Sequence, residues 1–327
     1  MSRQSHKALT NVEDLRIFSG SANRPLAEAV AKKLGVQLSE VTIRRLSDGE
    51  IHVQIEELVR HQDIFIIQPC AAPVNDNFVE LLLLVDAFRR ASAGGINVVI
   101  PYYPYARQDR MARGREAISA KVVARTLETM GASRIIYVDI HALQIQGFFD
   151  VPVDPLTALP ILSEYFQNDP RFLPDKTVIV SPDVGRARFA GKYAEQLGMP
   201  LAIMHKRRLD FDKTRIDTVV GDIEGKTVIL IDDLIAGGSV LDQIPALVEM
   251  GAEAPVYLSV THPVLLPSAL DRLNREEIAE LVTTDTIFTP PEKQHPKIKV
   301  QSIAPMLAEA IDRIHCGKTV SPLLRLL

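Results

Sequence analysis

Two adjacent carboxylates, Asp232 and Asp233, stand inside TVILIDDLIAGGS (Thr227 to Ser239), between an apolar run and a glycine pair. Side by side, two such acids can grip vicinal hydroxyls or a divalent cation. The free backbone N–H groups of Ala236, Gly237, Gly238 and Ser239 can converge on a phosphate where the chain turns from strand to helix. The chemistry implied is recognition of a phosphorylated sugar. A second group, in PYYPYARQDR (Pro101 to Arg110), sets Arg107, Gln108, Asp109 and Arg110 together. Guanidinium groups match phosphate oxygens bidentately, and the amide and carboxylate can read the edge of a purine. A third, Lys206, Arg207 and Arg208, follows a strand expected to end at Met204. With the polar stretch Leu209 to Thr218 behind it, it reads as a lid that closes on anions.

Smaller signals accompany these three. LSDGEIHVQI (Leu46 to Ile55) places Asp48, Gly49 and Glu50 in a polar turn before an alternating strand, an ordinary hairpin signal when taken alone. VDIHALQIQGFFD (Val138 to Asp150) brings Asp139 and His141 to a strand end, where a single histidine is more often a satisfied core or surface residue than a ligand. In VIVSPDVG, Asp183 ends another strand beyond Pro182.

Strands and helices alternate from about Leu15 to Thr283, the pattern of α/β architecture with mostly parallel sheets. Strands are expected at Ile64 to Gln68, Ile96 to Ile100, Ile135 to Val138, Thr177 to Val180, Leu201 to Met204, Val228 to Ile231 and Val256 to Val260. Helical spacing joins Phe78, Leu81, Leu82, Val85 and Phe88, then Val122, Val123, Leu127 and Met130, then Ala190, Tyr193, Ala194 and Leu197. The turn after the acid pair leads into a helix carrying Leu241, Ile244, Leu247 and Val248, with Gly251 at its end. Proline-punctuated VPVDPLTALP, from Val151, is the best boundary, giving domains 1–154 and 155–327, with 305–327 able to pack back on the first.

At 327 residues, 46% hydrophobic and 24% charged, the chain is long enough for about two domains with cores of their own. Cys70 and Cys316 show no CxxC or zinc-ligand spacing, which suits a reducing cytoplasm. The N-terminal residues lack an apolar signal core, and no run approaches a membrane span, so a cytoplasmic protein without membrane partners is expected. A formal net charge of −4 offers nucleic acid no general attraction, so the arginine clusters need a local explanation.

The acid pair with its glycines resembles the phosphoribosyl-pyrophosphate loop of type I phosphoribosyltransferases and ribose-phosphate pyrophosphokinases. Taken with ARQDR, DIHA, QIQGFFD, HKRR and THPVL (Thr261 to Leu265), the chain resembles the ribose-phosphate pyrophosphokinases from about Leu15 onward. That resemblance implies two similar phosphoribosyltransferase-like domains, each a mostly parallel sheet flanked by helices. It implies transfer of the β,γ-diphosphoryl group of ATP to the 1-hydroxyl of ribose 5-phosphate, with Mg2+. Asp48, Gly49 and Glu50 would then contact adenine across a subunit boundary, with Arg107, Gln108 and Asp109 completing the nucleotide site. His141, Asp183 and Asp139 would hold magnesium, and Lys206 and Arg208 would clamp the transferred group. Asp232 and Asp233 would grip the ribose hydroxyls, and the Ala236 to Ser239 turn would cradle the 5-phosphate. A homo-oligomer built from dimers and extending to a hexamer is also implied.

Four departures stand out. Leu46 replaces a usual phenylalanine, Arg186 follows Gly185 where a second glycine is common, and VSPLLRLL replaces the usual C-terminal ending. The sugar-phosphate loop is one residue short, with only Leu234, Ile235 and Ala236 between the acids and the glycines. An added residue after Ile235 is accordingly expected to be tolerated. The short loop also keeps a second reading open, a non-catalytic relative that binds nucleotide or sugar phosphate and regulates a true synthetase. Retention of Lys206, Arg208, His141 and the acid pair favours the active enzyme.

Overall fold

The computed structural model describes residues 14–208 and 214–324, with the side chains of 206–208 and 214–217 outside that description. The chain divides into two compact units, one reaching Leu156 and taking back the segment that starts at Ala304, the other Thr157–Ile303.

In the first unit, β1 (Leu15–Ser19), α1 (Arg24–Leu34), β2 (Val41–Arg45), β3 (Ile51–Ile55), β4 (Asp63–Ile67) and α2 (Val74–Arg90) come first. Then follow β5 (Gly95–Ile100), α3 (Ser119–Met130), β6 (Arg134–Val138) and β7 (Val153–Leu156). Strands β1, β4, β5, β6 and β7 form one sheet in that order, every pair parallel. Such a sheet is covered on both faces, so its strands read as unbroken apolar runs, and Ile64, Phe65, Ile66 and Ile67 are all fully buried. Phe18, Ile64, Ile66, Val98, Ile100, Ile135 and Tyr137 meet Leu81, Leu84, Val85 and Phe88 of α2 and Val123, Ala124 and Leu127 of α3. The returning helix of this unit, Ala304–His315, packs on α1. Strands β2 and β3 pair apart from the sheet as an antiparallel hairpin.

In the second unit, α4 (Leu159–Gln167), β8 (Thr177–Ser181), α5 (Ala187–Leu197), β9 (Leu201–Arg208), β10 (Thr214–Val220) and β11 (Thr227–Ile235) precede α6 (Ile244–Glu249). Then come β12 (Glu253–Pro263), α7 (Pro267–Leu273), β13 (Ile278–Thr284) and β14 (Ile298–Gln301). The sheet order is β10-β9-β8-β11-β12-β13-β14, parallel except for the β9–β10 pair. From β8 the chain moves one way to β9 and later returns to β11 on the other side. Open α/β sheets place their ligands at this reversal, beyond the carboxyl ends of the two central strands.

Three local expectations are corrected. Strand β9 does not end at Met204 but runs to Arg208, because β10 folds back on it and pairs Thr214 with Arg208. The acid strand does not end at Ile231 but runs to Ile235, because β12 continues beside it and pairs Pro263 with Ile235. The helix after the glycines is split into a 3-10 turn, Leu241–Gln243, and the short α6. Pro245 sits in the first turn of α6; in one regular α-helix begun at Leu241 it would lie in the interior, lacking an N–H for the Leu241 carbonyl and clashing with it.

Candidate functional site

The second unit gathers its candidate residues beyond β8 and β11. Asp232 and Asp233 occupy the second half of β11, where pairing with β12 fixes them, and Asp233 is only 3% exposed. Two residues past β8, Asp183 opens a tight turn, and its Oδ1 accepts the backbone N–H of Arg186 at 3.0 Å. That turn aims Arg186 at the acid pair. Its Nη2 lies 3.1 Å from Asp233 Oδ2 and its Nε 3.6 Å from Asp232 Oδ1. Burial first, and then the charge of Asp233, hold the Asp232 carboxyl well above the usual carboxylate range, while Arg186 pulls the other way.

The turn beyond the acids is anchored at both ends, by buried Ile235 on one side and buried Val240 and Leu241 on the other. Between the anchors, successive carbonyls face the segment leading into α7. Ile235 O accepts from Leu265 N–H and Ala236 O from Leu266 N–H, each at 3.0 Å. Gly237 O accepts from Ser268 Oγ at 3.0 Å and from Arg272 Nη1 at 2.9 Å. Among the described residues, no protein acceptor takes the N–H groups of Ala236, Gly237, Gly238 or Ser239. Gly238 has φ +83°, and a Cβ there would lie 3.0 Å from Ala269 Cα. A side chain at Gly238 would therefore strike α7 from within the protein.

In the first unit the candidates follow β2, β5 and β6. Glu50 N–H donates to Asp48 Oδ1 at 3.1 Å across the tip of the β2–β3 hairpin, where Gly49 takes φ +94°. Both acids are exposed, and Leu46 beside them is 49% exposed. Past β5, Gln108 is tied to the start of α3, its Oε1 accepting from Ser119 Oγ at 2.6 Å and its carbonyl from Ala120 N–H at 3.2 Å. Arg107 is exposed, and Asp109 accepts from Gln144 Nε2, which joins this loop to the 3-10 turn Leu143–Phe148 after β6. Asp139, just past β6, is 4% exposed and takes φ +37°, its N–H donating to Leu156 O at 3.0 Å. His141 follows, half-buried.

The structure thus brings Asp183, Asp232, Asp233 and the Ala236 to Ser239 turn to one end of the second sheet, and Asp109 to Gln144 in the first unit. Lys206 and Arg208 lie on β9, with side chains outside the described residues. The sequence marks Arg186 only as a departure from a common glycine, and it does not single out Ser268 or Arg272. An arginine three residues past a strand-end aspartate, in a sheet that also delivers an acid pair, is the available signal for the first. The i, i+4 spacing of Ser268 and Arg272 behind THPVL was the signal for the others.

Comparison with known proteins agrees along the chain. Residues 15–131 match the N-terminal domain of ribose phosphate pyrophosphokinase, 161–260 the phosphoribosyl transferase domain, and 212–325 the phosphoribosyl synthetase-associated domain. The chain is 49% identical over 311 residues to ribose-phosphate pyrophosphokinase of Bacillus cereus, covering 95% of this chain and 97% of that one. It is 50% identical over 310 residues to the Bacillus subtilis protein of the same name, covering 94% and 96%. The crystal structure of phosphoribosylpyrophosphate synthetase from Mycobacterium smegmatis superposes with a TM-score of 0.86 at 43% identity, covering 92% of this chain and 98% of that one.

Proposed function

Because the chain belongs to the ribose-phosphate pyrophosphokinase family, we propose that it transfers the β,γ-diphosphoryl group of ATP to the 1-hydroxyl of ribose 5-phosphate, releasing AMP. The observation that carries this reading is the second unit's crevice, an acid pair followed by a turn whose N–H groups are left for a phosphate. The sugar oxygen attacks the β-phosphorus and its proton is released. The bond from that phosphorus to the α,β-bridging oxygen breaks, and AMP keeps the bridging oxygen. The protein's task is in-line positioning and stabilisation of charge on phosphate oxygens. Asp232 and Asp233 hold the ribose hydroxyls, and the Ala236 to Ser239 turn holds the 5-phosphate. Arg107, Gln108 and Asp109 take the nucleotide, with Asp48, Gly49 and Glu50 serving the adenine of a neighbouring subunit in a homo-oligomer. Lys206 and Arg208 clamp the transferred group.

Mg2+ suits the donors present. Asp139 and Asp183 each follow the carboxyl end of a parallel strand and offer the hard oxygens this ion prefers, and His141 stands beside the first. Among the described residues no group of three or more His, Cys, Asp or Glu could hold a metal by itself. That matches an ion bound through one or two carboxylates, retained waters and substrate phosphates. When bound, it neutralises phosphate charge.

No helix among the described residues is long and apolar enough to cross a membrane, and both cysteines are free. Free cysteines suit the reducing cytoplasm in which we place this enzyme.

AMP release from ATP with ribose 5-phosphate and magnesium is the direct test. Its absence under conditions where the sugar phosphate still binds would favour the regulatory relative, and full activity in excess chelator would remove the metal from the mechanism.

A further inference from the structure

The sugar-phosphate turn is shaped from behind. In a trans peptide unit the carbonyl of one residue and the N–H of the next point in opposite directions. Three successive carbonyls, of Ile235, Ala236 and Gly237, are held by the segment running from Leu265 into α7. The N–H groups of Ala236, Gly237 and Gly238 are therefore all turned away from that segment. Successive N–H groups presented together make an anion-binding concavity. The first two carbonyls are fixed by backbone donors. The third, which sets the direction of the Gly238 N–H, is fixed by two side chains.

Those side chains are themselves held. Arg272 Nη1 also donates to Ser268 O at 2.9 Å, and Arg272 Nε donates to Asp242 Oδ1 at 2.8 Å. Arg275 Nη2 reaches the same Asp242 oxygen at 2.8 Å and Arg275 Nη1 the carbonyl of Leu241 at 3.1 Å. The arginine fork thus ties the middle of the turn to the first residues beyond it. Gly238 closes against the same helix, with its Cβ direction 3.3 Å from Arg272 Cδ.

We propose that Ser268 and Arg272 are positioning residues for the 5-phosphate, which lock the Gly237–Gly238 peptide so that a loop one residue short still presents its N–H groups to the ligand. Neither side chain touches the sugar phosphate. They act through the Gly237 carbonyl. This inference rests on the assignment of the turn to the 5-phosphate of ribose 5-phosphate.

The test is steady-state kinetics with each substrate varied, on full-length wild type, Ser268→Ala, Arg272→Met, Arg272→Lys and the Ser268→Ala/Arg272→Met double variant. The hydrogen bonds removed predict a rise in KM for ribose 5-phosphate of about threefold for Ser268→Ala and about tenfold for Arg272→Met. The double variant should show at least the product, and KM for ATP should move by less than about twofold in every case. Arg272→Lys should fall between, since one ammonium cannot serve Gly237, Ser268 and Asp242 together. Thermal melting is followed in parallel, and Ser268→Ala, which removes an exposed hydroxyl, keeps the test informative if Arg272→Met folds poorly. An unchanged KM for ribose 5-phosphate in Ser268→Ala and Arg272→Lys would overturn the proposal. So would a parallel rise in both KM values that tracks lost thermal stability. Calorimetry of wild type with ribose 5-phosphate separates the two levels: no binding would overturn the assignment of the turn and this proposal together, whereas binding with clamp-sensitive affinity supports the proposal even if no AMP is released.

Discussion

Arg186 Nη2 and Asp233 Oδ2 face one another at 3.1 Å, with both side chains largely withdrawn from water. The guanidinium offers N–H donors to the two acids that are assigned to the hydroxyls of a sugar, and it offsets the repulsion between carboxylates only one residue apart. Removing one partner of such a pair strands buried charge, which typically costs about 3–5 kcal/mol. Arg186→Met should therefore lower the unfolding free energy by about that amount at pH 7.5, and by less at pH 5, where the stranded carboxyls gain protons. Urea denaturation at the two pH values checks this. An equal loss at both would mean that Arg186 matters for packing rather than charge.

Asp232 gives the complementary result. Its carboxyl is raised in the folded protein, chiefly by burial and then by the charge of Asp233, so the folded state binds the proton more tightly than the unfolded chain. Stability from this group is fully present below the ordinary carboxylate range and is lost as pH climbs toward the raised value. Asp232→Asn lacks that loss. The variant should gain thermal stability relative to wild type as pH rises from 4 to 7.5, while losing affinity for ribose 5-phosphate. A Tm difference that stays flat across this interval would contradict the assignment.

The two glycines of the turn should behave differently. Gly238 combines φ +83° with Ala269 Cα at 3.0 Å from any added Cβ, so Gly238→Ala pays about 1–2 kcal/mol for left-handed backbone and must also push α7. At Gly237 an added Cβ meets only Ser268 Oγ at 3.7 Å, an ordinary contact. Gly237→Ala should stay within about 0.5 kcal/mol of wild type. Chemical denaturation of both variants tests the contrast, and equal losses would show that the turn is governed by something other than these contacts.

For Lys206 and Arg208 the expectation is kinetic. If they engage the transferred group mainly in the transition state, Lys206→Ala and Arg208→Ala should lower kcat by at least about tenfold with little change in either KM. A change confined to KM would make them ordinary binders of the ground state.

The strands and helices were legible wherever apolar periodicity was strong. The fully buried run Ile64 to Ile67 declares a central parallel strand, and the stripe Leu81, Val85 and Phe88 declares α2. What the sequence hid were strand ends set by a partner rather than by local pattern. Lys206, Arg207 and Arg208 read as loop because they are charged, yet β10 supplies a second row of hydrogen bonds that extends β9 through them. Likewise the acid pair looked like the end of a strand until Ile235 was seen paired with Pro263. Within the candidate site, residue type announced Asp232, Asp233 and the glycines. Arg186, Ser268 and Arg272 stayed hidden because their roles arise from approach in space. Their partners lie roughly thirty to fifty residues away along the chain.

The short loop supplies the last prediction, and the registers around it reverse what the sequence alone suggested. From the sequence, one added residue after Ile235 merely restores a common length. In the structure, Ile235 is anchored in the core and its carbonyl takes the N–H of Leu265, Ala236 takes Leu266, and Gly237 takes Ser268 and Arg272. On the far side, Val240 and Leu241 are buried as well. A residue inserted after Ile235 must slip Ala236 and Gly237 past their donors or drag Val240 and Leu241 from the core. The entropy of one more loop residue is only a few tenths of a kcal/mol, so the lost clamps decide the outcome. The insertion should weaken ribose 5-phosphate binding by about tenfold or more and leave ATP binding near wild type. Calorimetry with each ligand checks it: sugar-phosphate affinity equal to or tighter than wild type would show that the turn is not tuned to its present length.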